Sequence, residues 1–130
     1  MFAKVKFLKP SRDFLMRSFL KLVRAKNLLM VAITQYLLQY LTITQYHSIR
    51  ETQPVLDYFH FFLLVLTTVL VAAGGYVIND IKDLEIDKIN KPDEMVIGDR
   101  ISLRQANLIY WGSIFIGGFI AIYMLSLIHI

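Results

Sequence analysis

The chain has 130 residues, a formal net charge of +4 and no cysteine, and 56% of its residues are hydrophobic. That hydrophobic share exceeds ordinary soluble composition and predicts a membrane protein. The lack of cysteine excludes disulfides, thiolate metal sites and a cysteine nucleophile from this chain. No nucleic-acid-binding motif accompanies the basic charge, so we expect no nucleic-acid partner.

The N-terminal segment, residues 1–26, is basic and amphipathic. It contains 8 of the 14 Lys and Arg. Ser11 is its predicted N-cap, and apolar residues follow at helical spacing. Two interpretations are open: an interfacial helix on the anionic inner leaflet, or a simple topology anchor. Both place this segment in the cytoplasm.

Three uncharged runs of 23, 22 and 26 residues follow. A membrane span needs about 20 residues, so we predict spans at about 27–46, 58–79 and 105–128. Lys and Arg are concentrated before the first span and after the second. The positive-inside rule therefore predicts a multi-pass integral membrane protein with its N-terminus and second loop in the cytoplasm.

The first predicted span is the most polar. Gln35, Gln39, Thr42 and Tyr46 fall within one narrow wedge of a helix. In lipid such a stripe faces protein or water. It is typical of hydrogen bonding between helices, and contact with a substrate is the alternative.

Small residues mark the other two spans. Gly74 and Gly75 permit either a local break just before an acidic stretch or plain helix packing. Ser113, Gly117 and Ala121, at i, i+4 and i+8, predict a packing face in the third span. Ahead of that span, Ser102-Leu103-Arg104-Gln105 indicates the N-cap of the third helix.

The acidic stretch lies at the end of the second span. Asp80, Asp83 and Asp87 are spaced i, i+3 and i+7, so a helix would place them on one face, with Asn79 beside them. Three like charges on one face repel each other unless a divalent cation neutralises them. A solvated loop would explain acidic residues but not this spacing. Glu85 falls on the opposite side and is expected in solvent.

The pattern Asn-Asp-x-x-Asp-x-x-x-Asp at residues 79–87, followed by Lys-Ile-Asn-Lys-Pro, resembles the first aspartate-rich motif of the UbiA family of intramembrane prenyltransferases. Residues 24–27, Arg-Ala-Lys-Asn, are similar to the Arg-x-x-Asn pattern ahead of the first span in many members. The resemblance covers residues 21–130.

The resemblance implies an all-α, polytopic membrane helical bundle of nine transmembrane helices. Residues 1–130 would form the N-terminal part of one such domain, with three of the helices. A second aspartate-rich motif is implied in the other half, and no Asp or Glu follows Asp99 here. We therefore expect this chain alone to lack transferase activity.

The resemblance also implies Mg²⁺-dependent transfer of a prenyl group from an isoprenoid diphosphate to a lipophilic acceptor, either an aromatic ring or a lipid precursor, within the lipid membrane. Asp80, Asp83 and Asp87 would be the metal-holding catalytic residues. The substrate-binding residues would be Asn79, Asn27, Arg24, Lys88 and Lys91. Residues 87–92 are more similar to the branch handling geranylgeranylglyceryl phosphate, homogentisate or chlorophyllide than to the heme-farnesylating branch.

Two other functions stay open. A cation-binding transporter or channel fragment could use the acidic cluster as an access site, although no charge lies within any predicted span. A small three-helix membrane adaptor would require 130 residues to be the whole protein. The reading frame beyond Ile130 would discriminate between these interpretations.

Overall fold

The computed structural model describes residues 12–50 and 56–128. In chain order these form α1 (Arg12–Leu22), α2 (Ala25–Leu38), a π-helical segment (Gln39–Thr44), α3 (Gln45–Arg50), α4 (Tyr58–Lys82), α5 (Leu84–Asn90), a 3-10 turn (Pro92–Glu94) and α6 (Leu103–Ile128). The all-α prediction is confirmed for these residues. Ser11, the predicted N-cap of α1, lies outside them.

Within residues 12–50 and 56–128, two helices are long and apolar enough to cross a membrane: α4, and α6 over Leu103–Ser126. In the most apolar 18-residue stretch of each helix, only 28% of the residues of α4 and 11% of those of α6 are buried. The core helix of a soluble protein would bury most of its apolar residues, whereas these helices expose them to lipid or to further helices. They coincide with the second and third predicted spans.

The first predicted span is divided between α2, the π-helical segment and α3, which follow one another without a gap. The Thr44 hydroxyl donates a 2.9 Å hydrogen bond to the Gln39 carbonyl within the π-helical segment. On the polar stripe, Gln35 Oε1 is buried and has no hydrogen-bond partner among the described residues. A hydrogen bond from this stripe to another helix therefore stays a prediction.

The principal helix contact joins α4 and α6, which run antiparallel. The His60 ring near the start of α4 stacks on Tyr123 near the end of α6, with centroids 6.4 Å apart. A Cβ built on Gly117 would lie 3.2 Å from Val71 Cγ2 and 3.3 Å from Leu70 Cβ. The predicted packing face of α6 is thus confirmed at Gly117, where the two helices approach closely.

Of the two interpretations of Gly74 and Gly75, the structure supports helix packing and not a local break. α4 continues through both residues to Lys82, and a Cβ on Gly74 would lie 3.0 Å from Ile114 Cδ1 of α6. Gly74 therefore serves close helix packing. The helix is instead interrupted at Asp83, which has φ −84° and ψ 1°.

Side chains cap both long helices. The Asp57 carboxylate accepts a 2.8 Å hydrogen bond from the His60 backbone N–H at the start of α4. This bond to the charged form lowers the pKa of Asp57. At α6, Gln105 Oε1 accepts from the Ser102 N–H at 2.9 Å and the Gln105 N–H donates to Ser102 Oγ at 3.2 Å. The N-cap indicated by the sequence is therefore present, and the two reciprocal bonds form a capping box.

A small apolar core lies where α4 leads into α5. Leu22 of α1 and Val77 of α4 are fully buried in it. After α5 the chain folds back over this core, burying Val96 and Ile97. The fold-back is a tight turn in which the Gly98 N–H donates to the Ile101 carbonyl at 2.8 Å. Gly98 has φ 95°, a conformation that favours glycine.

The amphipathic helix α1 is docked on the rest of the protein. Ser18 and Leu22 are buried on one side, and the Arg100 guanidinium lies 5.6 Å from the Phe14 ring centroid. Met16 and Leu20 stay exposed. α1 therefore packs against protein on one face and leaves an apolar face available for the membrane surface.

Candidate functional site

The acidic motif forms a nearly continuous helical path from α4 into α5. The Asp83 N–H donates to the Asn79 carbonyl at 2.9 Å, and the Asp87 N–H donates to the Asp83 carbonyl at 2.8 Å. The irregular conformation of Asp83 divides the predicted single face. Asp80 and Asp87 are partly buried, whereas Asp83 is exposed.

Asp80 and Asp87 line one cavity of about 310 Å³, here called the motif cavity. Its other lining residues come from the end of α1, the α1–α2 turn, the start of α5 and the segment after α5, and they are Lys21, Arg24, Leu84, Lys91, Met95, Val96 and Ile97. The motif cavity thus combines two carboxylates with three cationic side chains and an apolar wall. That combination suits an anionic substrate that binds together with a metal ion.

An ion pair joins the two sides of the motif cavity. Arg24 Nη2 lies 3.1 Å from Asp80 Oδ1, and 49% and 26% of the two side chains are exposed. The guanidinium also lies 5.1 Å from the centroid of the Tyr76 ring, one helical turn before Asp80. Because the pair is partly solvated, its net contribution to stability is small. Arg24 can therefore exchange Asp80 for another anion at little cost.

The backbone of Arg24 is unusual, with φ 52° and ψ 53° in the left-handed region. Non-glycine residues rarely adopt this conformation. Burial of Leu22 and Val23 immediately before it holds the turn, because both side chains enter the core. The sharp α1–α2 turn thereby brings Arg24 to Asp80.

Three other predicted site residues, Lys88, Asn79 and Asn27, do not line the motif cavity. Lys88 Nζ lies 2.7 Å from Glu85 Oε1, and Glu85 is 82% exposed, in solvent as expected. Asn79 is exposed. Asn27 lines a second cavity of about 520 Å³, here called the bend cavity, together with Leu20, Lys21, Arg24, Ala25 and Lys26.

Comparisons with known proteins identify the family of this chain. The profile of the UbiA prenyltransferase family matches residues 48–130, which include the whole acidic motif. The chain belongs to the UbiA prenyltransferase family. Its similarity to that family therefore extends well beyond the motif itself.

Several relatives of this UbiA-family chain share the same name. It is 36% identical over 102 residues to a digeranylgeranylglyceryl phosphate synthase of Metallosphaera sedula, covering 78% of this chain and 33% of the relative. Its identity to the synthase of the same name from Methanoculleus marisnigri is 38%, over 78% of this chain and 32% of that protein. The chain thus spans about a third of the length of these relatives. No solved structure matches it.

The carboxylates of this UbiA-family chain suit Mg²⁺ as a pair and not as a group of three. Among the described residues, no three Asp, Glu or His side chains are grouped closely enough to hold one ion. Mg²⁺, however, is commonly bound by one or two carboxylates, with substrate phosphates and water completing its octahedron. Asp80 and Asp87, on one cavity with a cationic rim, match that donor set.

Several residues around the site were not identified from the sequence. Lys21 lines both cavities, and Tyr76 supports Arg24. Lys21 and Arg24 are three residues apart, a spacing that places them near each other on a helix. For Val96 and Ile97, the available signal was the apolar run Met95-Val96-Ile97 between charged residues of the loop.

Proposed function

We propose that the whole protein transfers a prenyl group from an isoprenoid diphosphate to a lipophilic acceptor within the membrane, with Mg²⁺ as its cofactor. The observation that carries this proposal is the motif cavity, which places Asp80 and Asp87 beside Arg24 and Lys91. It lies where the membrane-length helix α4 ends. A polar headgroup can occupy such a cavity while its isoprenoid chain lies among apolar helices.

The carboxylates and the cations of the motif cavity would bind a diphosphate in different ways. Asp80 and Asp87 would hold Mg²⁺, and Asp83, just outside the cavity, would support them. When bound, Mg²⁺ would stabilise the diphosphate as a leaving group. Arg24 can offer a planar fork to its oxygens, and Lys91 a point charge.

In the reaction, the allylic C–O bond breaks and the electron pair leaves with the diphosphate. A nucleophilic atom of the acceptor forms a bond to the allylic carbon, and its proton passes to the departing diphosphate. The apolar wall formed by Leu84, Met95, Val96 and Ile97 would keep water from the carbon as it gains cationic character. The chain's own residues thus supply positioning, charge and exclusion of water.

The acceptor is proposed to be a prenylated glyceryl phosphate. Relatives from several archaea are named digeranylgeranylglyceryl phosphate synthase. Such a product contains two geranylgeranyl chains on one glyceryl phosphate, so the second chain would join an acceptor that already carries the first. A geranylgeranyl diphosphate would be the matching donor.

Removal of divalent metal tests the proposal directly. Membranes containing the full-length protein are expected to form the prenylated glyceryl phosphate, and EDTA is expected to lower the rate by at least about 10²-fold, the size seen when a charge-stabilising group is lost. Added Mg²⁺ should restore the rate. Activity that persists in EDTA would contradict the metal assignment. Cation flux without prenyl transfer would favour the transporter interpretation.

The proposed topology has a separate test. A reporter fused after Thr52 should lie outside, and one fused after Pro92 should be cytoplasmic, because Lys and Arg are concentrated on the cytoplasmic flanks. The measurement is the labelling of each fusion in intact cells. The reverse orientation would separate the motif cavity from a cytoplasmic diphosphate and would contradict the proposed site.

A further inference from the structure

The bend cavity, at the α1–α2 turn, is distinct in composition from the motif cavity. Its three charged lining residues, Lys21, Arg24 and Lys26, are all cationic. The motif cavity also has three cations but sets two carboxylates against them. The two cavities share Lys21 and Arg24, so they are neighbours.

Because no carboxylate of the described residues lines the bend cavity, we expect it to bind a different kind of anion from the motif cavity. Carboxylates require a metal ion between themselves and a phosphate, whereas ammonium and guanidinium groups bind phosphate oxygens directly. A phosphate monoester carries roughly −1.5 to −2 charges near neutral pH. The bend cavity has three cations, of which Arg24 also pairs with Asp80, and their N–H groups can bind such a group without a metal.

The surroundings of the bend cavity indicate an amphiphilic ligand. Leu20 and Ala25 contribute apolar lining. Beyond them, Leu29 and Met30 of α2 are 60% and 64% exposed. A hydrocarbon chain attached to the phosphate could follow this apolar surface, which is part of the first predicted span. A free inorganic phosphate would leave that surface uncovered.

The backbone adds to the attraction for an anion. α2 begins at Ala25, on the cavity wall, and no side chain of the described residues caps it at Arg24. The first amides of a helix carry partial positive charge that favours anions. This contribution acts together with the side chains of Lys21, Arg24 and Lys26.

We propose that the bend cavity binds the phosphate monoester of the glyceryl phosphate acceptor, with Lys26 as an acceptor-specific residue. The proposal rests on the proposed prenyl transfer and adds the position of the second substrate. Arg24, shared by both cavities, would then lie between the donor diphosphate and the acceptor phosphate. Holding both anions beside one guanidinium would bring the acceptor nucleophile close to the allylic carbon.

Lys26 and Lys91 permit a paired test, because Lys26 lines only the bend cavity and Lys91 only the motif cavity. In the full-length protein, Lys26→Gln is expected to raise the KM for geranylgeranylglyceryl phosphate about tenfold or more, as for a lost hydrogen bond between charged groups. The KM for geranylgeranyl diphosphate should be unchanged. Lys91→Gln should show the opposite pattern, and Lys26→Arg should restore the acceptor KM.

Arg17→Gln is the matched control, since Arg17 is an exposed cation of α1 outside both cavities. It should leave both KM values unchanged. Equilibrium binding in nanodiscs of zwitterionic lipid provides a measurement independent of turnover. The wild-type protein should prefer geranylgeranylglyceryl phosphate to geranylgeranylglycerol, and Lys26→Gln should reduce that preference.

The possible failures are distinguishable. If the wild-type protein transfers no prenyl group, the proposed function is wrong. If transfer occurs but Lys26→Gln leaves the acceptor KM and the binding preference unchanged, only the bend-cavity assignment is wrong. Equal competition by a diacyl phosphatidic acid would also overturn the assignment, because the cavity would then bind any anionic lipid headgroup.

Discussion

Asp80→Asn in the full-length protein is expected to lower the rate of prenyl transfer by at least about 10²-fold, a loss comparable to removing one preorganised charge-stabilising group. The substitution keeps the size of the side chain and removes its charge. Asp80 lines the motif cavity and pairs with Arg24 at 3.1 Å. The change therefore removes a proposed Mg²⁺ ligand and the partner that positions the guanidinium.

Asp87→Asn should cause a similar loss, because its carboxylate lines the same cavity. The double variant should be only slightly worse than either single variant, since two ligands of one ion act as a unit. Higher Mg²⁺ concentrations should partly restore the weaker single variant by mass action. For Asp83→Asn we expect a smaller loss, because Asp83 is exposed and outside the cavity.

The matched control is Glu85→Gln, which removes a carboxylate from the same stretch. Glu85 is 82% exposed and paired with Lys88, so its loss should leave the rate nearly unchanged. The measurement is prenyl transfer in membranes as a function of Mg²⁺ concentration. A loss at Glu85→Gln as large as at Asp80→Asn would contradict the geometry. Normal rates for every variant would mean that the motif is only a solvated loop.

Gly117→Leu is expected to destabilise the protein through the α4–α6 contact. A Cβ at this position would already lie 3.2 Å from Val71 Cγ2 and 3.3 Å from Leu70 Cβ. Overpacking a tight contact typically costs about 1–3 kcal/mol, and close helix approach in membranes depends on small residues. Thermal unfolding of the full-length protein in detergent should therefore occur at a lower temperature.

Gly118→Leu supplies the control, because a Cβ there would meet no atom within 4 Å. It adds the same side chain to the next residue of α6 and should leave the unfolding temperature nearly unchanged. If the two variants unfold at the same temperature, the proposed role of Gly117 in the α4–α6 contact is wrong. Prenyl transfer should decline with Gly117→Leu as well, because α4 carries Asp80 at its end.

Much of the helical organisation could be predicted from local patterns. Uncharged runs of membrane length indicated α4 and α6, and Ser102 with Gln105 indicated the start of α6. These signals are local, since a helix cap or an apolar run depends on residues a few positions apart. The π-helical segment at Gln39–Thr44 was missed, because no glycine or proline marks it. The break at Asp83 was likewise missed, because a break was considered only at Gly74 and Gly75, as an alternative to helix packing there.

The residue types of the candidate site could be predicted from the sequence, but their arrangement in space could be predicted only in part. The spacing of Asp80, Asp83 and Asp87 indicated a metal-binding motif, and the motif led to the UbiA family, which the family match to residues 48–130 confirmed. An ideal helix would have placed all three carboxylates on one face. The irregular backbone at Asp83 instead directs only Asp80 and Asp87 to the motif cavity.

The class and family of this protein, and the residue types of its candidate site, could be predicted from the sequence. Which of those residues meet depends on the tertiary structure. Arg24 reaches Asp80 across 56 positions of chain, and it does so because Leu22 and Val23 are buried beside a left-handed turn. Val96 and Ile97 close the same cavity because the turn at Gly98 folds them onto that core. Contacts of this kind depend on packing between distant segments, and no local spacing records them.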